Sequence, residues 1–213
     1  LGMSVFLETP GIGEACKALV AEQLLNHDDL DNLSDNLDEE YTLRSIILFA
    51  PEPYKQRAWK RLRSSSDYSK ILYLLYSPRG AANDTYKNAA IDELWEGSPL
   101  DIYTVSIILT EATRAKDRER AAEILLNAEK LDIYDLVNIV VHAPKEPQRQ
   151  EGWKRSIEYF SRAIAVSSRN DSYWMMVQLS YVANNAHDPY RTQARYLLML
   201  LDADKYLFLD LVH

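Results

Sequence analysis

Self-similarity at a spacing of 31 to 32 residues constrains the fold of this chain more than any other feature. The stretch Ala50-Pro51-Glu52-Pro53-Tyr54-Lys55-Gln56-Arg57-Ala58-Trp59 returns as Ala143-Pro144-Lys145-Glu146-Pro147-Gln148-Arg149-Gln150-Glu151-Gly152-Trp153. It returns in part as Asp188-Pro189-Tyr190-Arg191-Thr192-Gln193-Ala194. Weaker copies are Thr85-Tyr86-Lys87-Asn88-Ala89-Ala90 and Lys116-Asp117-Arg118-Glu119-Arg120-Ala121. When the small residues Ala58, Ala90, Ala121, Gly152 and Ala194 are aligned, they are separated by 32, 31, 31 and 42 positions. Three positions earlier stands a cation every time: Lys55, Lys87, Arg118, Arg149 and Arg191. Four positions later stand Leu62, Leu94, Leu125 and Leu198, with Ser156 the exception.

The other half of each unit opens on a tyrosine: Tyr41, Tyr68, Tyr103, Tyr134, Tyr173 and Tyr206. An acid precedes each by one or two residues: Glu40, Asp67, Asp101, Asp132, Asp171 and Asp204. A carboxylate there suits a helix N-cap, because it accepts bonds from the first free backbone N–H groups. Apolar stripes at helical spacing follow, such as Ile102, Val105, Ile108 and Ile133, Leu136, Ile139, Val140. Pro51, Pro78 and Pro144 are placed to stop this first helix, and Pro53, Pro147 and Pro189 to start a second. Each unit therefore reads as helix, proline turn, helix. A lone helix pair cannot hide both apolar faces, so neighbouring pairs must stack. The recurring Ala or Gly predicts a close crossing of helix axes. The 42-residue step predicts a longer second helix or an extra turn within 156–170.

Residues 1–40 read as an N-terminal capping helix near Ile12–Leu25 followed by an acidic loop, and residues 41–213 as an array of about five helix pairs. The expected fold is all-α, an α-solenoid of stacked antiparallel helix pairs. The Ala-Pro-x-x-Pro-Tyr-Lys/Arg-x-x-Ala-Trp stretches resemble the HEAT-like and leucine-rich-repeat-variant arrays. That resemblance implies a right-handed superhelix and specifies no chemistry. The Trp-x-x-Leu-Gly-x-x-Tyr order of tetratricopeptide repeats is missing, and so are the iron–sulfur cysteines of some variant-repeat proteins. No cofactor is implied.

Charge narrows the partners. The formal net charge is −8. Residues 1–45 hold ten acids against Lys17 and Arg44, so the remainder balances to zero. Nucleic acid is disfavoured, because phosphate neutralisation drives its affinity. No run approaches the roughly 20 apolar residues that span a bilayer. A single cysteine, Cys16, forbids an internal disulfide and fits a reducing compartment. These points lead us to expect a soluble, cytoplasmic protein with no membrane contact.

The cation ladder is the sharpest candidate site. Cations in a helix's first turn oppose its dipole by roughly 0.3–1 kcal/mol, so something must compensate. One reading is a structural partner, either an acid on the next unit or a carbonyl at the end of the first helix. The other is a binding edge for an acidic protein or peptide, with Lys55, Lys87, Arg118, Arg149 and Arg191 flanked by Tyr54, Tyr86 and Tyr190. On that reading, reversing Lys87 and Arg118 to Glu weakens binding and leaves the fold intact. Trp59 among Arg57, Lys60, Arg61 and Arg63 reads as inter-unit core rather than a base-stacking cluster. The run Asp28–Glu40 lacks the glycine of a calcium loop. His142 and His187 fall in equivalent turns, which explains their recurrence without a metal. Gly11-Ile12-Gly13 lacks the third glycine of a dinucleotide loop. Cys16 reads as a small buried residue. The function expected is a protein- or peptide-binding scaffold. The alternative is an enzyme on a helical-repeat scaffold, either a metal-dependent hydrolase or a HEAT-like DNA glycosylase; no residue order for catalysis stands out.

Overall fold

The structure is a computed structural model that describes residues 6–26, 36–64, 71–72, 74–76, 81–97, 99–166 and 169–203. The expectations for His27, Asp67, Tyr68, Pro78, Asp204, Tyr206 and His213, and for the acidic run up to Asp35, lie outside those residues. Ten main helices are described: α1 (Glu14–Asn26), α2 (Asn36–Phe49), α3 (Tyr54–Ser64), α4 (Ala81–Glu96), α5 (Ile102–Glu111), α6 (Ala115–Leu126), α7 (Ile133–His142), α8 (Glu146–Val166), α9 (Arg169–Asn185) and α10 (Tyr190–Ala203). Among the described residues there is no strand. The chain forms two compact units, Leu1–Leu100 and Asp101–His213.

In the second unit, α5 packs on α6, α7 on α8 and α9 on α10. The first helices also pack side by side, α5 against α7 and α7 against α9, and α6 touches α8. Both helix starts expected at Asp101 and Asp132 are capped as the sequence implies. The Asp101 carboxylate accepts from the Thr104 N–H at 2.7 Å, and Asp132 accepts from the Asp135 N–H at 2.9 Å. The apolar stripe behind each cap is buried: Val105, Ile108, Ile139 and Val140 are all fully covered. The core extends through Phe160, Leu179 and Val182 to Ala194 and Leu197.

Each first helix of this unit ends on an alanine. Ala112, Ala143 and Ala186 donate their N–H groups to the carbonyls of Ile108, Ile139 and Val182. Ala112 and Ala143 then turn extended, with ψ of 135° and 134°. All three are buried, so a small side chain lies against the core where the chain leaves the helix. The column of small residues behaves as expected. Ala121, Gly152 and Ala194 are buried. A Cβ on Gly152 would stand 2.8 Å from Ile139 Cγ2 and 3.3 Å from the Leu136 carbonyl oxygen, so α7 and α8 cross at near contact. The 42-residue step resolves as a longer second helix, since α8 has 21 residues where α6 has 12.

In the first unit, α1 packs on α2 and α3, and α2 packs on α3 and α4. Leu43, Ile46, Ile47, Ala58, Leu62, Ala90, Ile91 and Leu94 fill its core. Ala50 ends α2 as its counterparts do in the second unit, its N–H bonding the Ile46 carbonyl at 3.0 Å.

Three expectations are corrected. Glu40 does not cap a helix, because α2 already begins at Asn36. Glu40 lies four residues inside it. Asp171 lies two residues inside α9, which starts at Arg169. Cys16 is exposed on α1, whose buried residues are Ala21 and Leu24.

Candidate functional site

The hairpin geometry of a helix pair decides what the cation ladder does. The end of the first helix carries unbonded carbonyls and a partial negative charge, and it lies beside the start of the second. Arg149 reaches back so that Nη1 donates to the carbonyls of Ala143 at 2.8 Å and Pro144 at 3.0 Å. Its Nε and Nη2 hold Glu146. Arg191 Nε donates to the Ala186 carbonyl at 2.9 Å, and Lys55 Nζ to the Leu48 carbonyl at 3.5 Å. Three rungs thus cap the preceding helix. Lys87 is only 1 % exposed. Arg118 Nε is buried without a hydrogen-bond partner among the described residues. Reversing Lys87 to Glu would bury a carboxylate, so that substitution tests folding before it tests binding.

The tyrosines beside the rungs join successive pairs. The Tyr86 hydroxyl donates to Glu52 Oε1 at 2.8 Å, and the Tyr190 hydroxyl donates to Glu146 Oε1. Each acceptor stands three residues before the rung of the previous pair. The tryptophans repeat the step: Trp59 meets Tyr86 edge-on at 6.3 Å, and Trp153 meets Tyr190 at 6.0 Å. Tyr54 bonds Glu22 in the same direction along the chain. At the step between α6 and α8 the bridge is rebuilt from other atoms. Gln148 Nε2 donates to the Glu119 carbonyl at 3.0 Å, and Lys145 pairs with the Glu119 carboxylate at the surface. Sequence reading missed these bridges, although Glu52 and Glu146 share one register and Tyr86 and Tyr190 another.

Burial and the bond to Glu146 push the Tyr190 phenol up to about 12. In turn, the bonds from Tyr190 and Arg149 hold the Glu146 carboxyl below its ordinary value. An unfolded tyrosine titrates near 10. The raised phenol therefore stabilises the fold fully below pH of about 10, and that contribution is lost as pH rises through the folded value. Alkaline titration followed by tyrosinate absorbance should show late-ionising tyrosines, Tyr86 among them, with one fewer in Tyr190→Phe.

A different surface is left open. A groove of about 490 Å³ runs between α5 and α7. Tyr103 and Tyr134, equivalent in the repeat, border it and are 65 % and 49 % exposed. Ser106 and Asn138 line it, as do Asp132 and Asp135, and among the described residues no Lys or Arg does. Asp135 is 9 % exposed. Burial raises its carboxyl pKa, Ser106 lowers it by a hydrogen bond, and the nearby Asp132 charge raises it further. In the first unit a second groove of about 620 Å³ gathers Lys17, Lys55, Glu14, Glu52 and Tyr86.

Other sequence candidates do not converge. His142 Nε2 lies 2.8 Å from the Tyr181 hydroxyl, in the second unit's interior contacts, while His187 is exposed. Among the described residues no cluster of three or more His, Cys, Asp or Glu is placed to hold a metal ion. Among them, too, no helix is long and apolar enough to cross a membrane. These features define an all-helical protein of packed, adjacent helix pairs. No protein-family profile, curated protein or solved structure matches the chain.

Proposed function

We propose that this chain is a helical-repeat interaction module, α-solenoid-like in each unit and HEAT-like or leucine-rich-repeat-variant-like in its repeat, that binds a segment of another protein. The observation that carries the reading is the open groove between α5 and α7. Two large aromatics stand exposed there in the same repeat register, whereas Lys55, Arg149 and Arg191 already serve helix ends. Tyrosine supplies broad contact area at little entropic cost, and exposed aromatics rimmed by polar groups favour a docking role over a solvated one. The first unit's groove sets Lys17 and Lys55 beside Glu14 and Glu52, so its lining favours neither sign of partner charge.

The test is recovery of bound protein from native lysate by the intact chain and by Tyr103→Ser with Tyr134→Ser. The substitutions should lower recovery of a saturable partner by about tenfold or more. The melting temperature should hold, because both side chains are exposed. Undiminished recovery by the variant would reject this face.

A further inference from the structure

We infer that the groove between α5 and α7 receives a basic segment of a partner protein, with an arginine or lysine side chain entering between Tyr103 and Tyr134 toward Asp132 and Asp135. This rests on the module reading above and adds the chemistry of the ligand. The groove's lining has two aspartates and, among the described residues, no Lys or Arg, which sets the sign of the complementary charge. Exposed tyrosines lining the same groove as those aspartates suit a guanidinium, which stacks on aromatics and pairs with carboxylate oxygens through one planar group. Ser106 anchors Asp135 from the opposite helix, so the acceptor is held in place before anything binds. Burial works against the Asp135 charge, and a cation arriving beside it relieves that cost. The same lining repels phosphate, so a nucleic acid or an anionic membrane surface is the wrong sign.

The probe is an end-blocked Arg-Gly-Arg-Gly-Arg peptide titrated into the intact chain at low salt and followed by backbone amide NMR. Shifts are expected to concentrate at 102–110 and 132–138. Asp132→Asn with Asp135→Asn should weaken the peptide by about tenfold. Asn at 132 caps a helix as well as Asp does, and Asn at 135 keeps the size while removing a buried charge, so the pair should keep its fold. Glu123→Gln with Glu158→Gln removes the same charge from exposed positions on α6 and α8 rather than α5 and α7, and should change affinity by less than about twofold, because surface charges away from the groove are screened. Equal weakening by both pairs, scattered shifts, or free spermine binding as tightly as the peptide would overturn the assignment. If the tyrosine substitutions abolish recovery of a cellular partner while this peptide leaves the groove untouched, the ligand class is wrong and the module reading stands. If the tyrosine variant keeps its partner, this face is rejected and the ligand assignment with it.

Discussion

Arg149→Glu should lower the midpoint of thermal unfolding by roughly 10 °C. The side chain is only 17 % exposed, and it bonds two carbonyls at the end of α7. Hydrogen bonds to a charged group contribute about 1.5–3 kcal/mol each, and removing the donor leaves both acceptors without it. The introduced carboxylate also faces the negative end of the α7 dipole and the acid of Glu146. In a protein of this size, 1 kcal/mol shifts the midpoint by about 2–4 °C. The contact with Glu146 adds little to the loss, since that carboxylate is 54 % exposed. Lys145→Glu is the matched control. Its side chain is 58 % exposed and pairs only at the surface, so the expected shift is within about 2 °C. An unmoved midpoint for Arg149→Glu, together with loss of a partner, would return the ladder to a binding role.

The other large effect is expected at Gly152. Alanine at a helical glycine ordinarily stabilises by about 1 kcal/mol. Here its Cβ would stand 2.8 Å from a methyl group fixed to the branched Cβ of Ile139, and 3.3 Å from the Leu136 backbone. Neither can swing aside without moving α7. Gly152→Ala should therefore be net destabilising, and Gly152→Leu should separate α7 from α8. Overpacking typically costs about 1–3 kcal/mol. The leucine variant should exceed that range, because the clash involves the helix axis and not a rotamer. Urea unfolding monitored by tryptophan fluorescence would measure both. A Gly152→Ala variant as stable as the parent would mean that the helices can part slightly without loss.

Much of the fold was legible because the repeat compares the chain with itself. Asp101 and Asp132 were identifiable as caps from their spacing to the apolar stripe, and both make the expected bond. Gly152 was identifiable as a close crossing because alanine stands at its counterparts. Glu40 and Asp171 were misplaced because an acid in the opening turns and an acid on a cap look alike in sequence, and two to four residues of backbone decide between them. Cys16 was taken for a core residue from its size alone, with no periodic stripe around it to fix a face.

The candidate site was legible only in its parts. Register alone put Lys55, Arg149 and Arg191 at equivalent points, and Tyr103 and Tyr134 at others. It did not tell which series points into a hairpin and which points outward. That choice depends on how a pair folds back. The hairpin brings the spare carbonyls of one helix within an arginine's reach of the next, and so uses the cations internally. Side-by-side packing of α5 and α7 meanwhile opens a groove between two tyrosines and two carboxylates. The order of residues determined a helical repeat, the caps at Asp101 and Asp132, and the tight crossing at Gly152, because each is a local or periodic property. Which charges were left for a partner only the packing decided, because electrostatic satisfaction depends on neighbours distant along the chain.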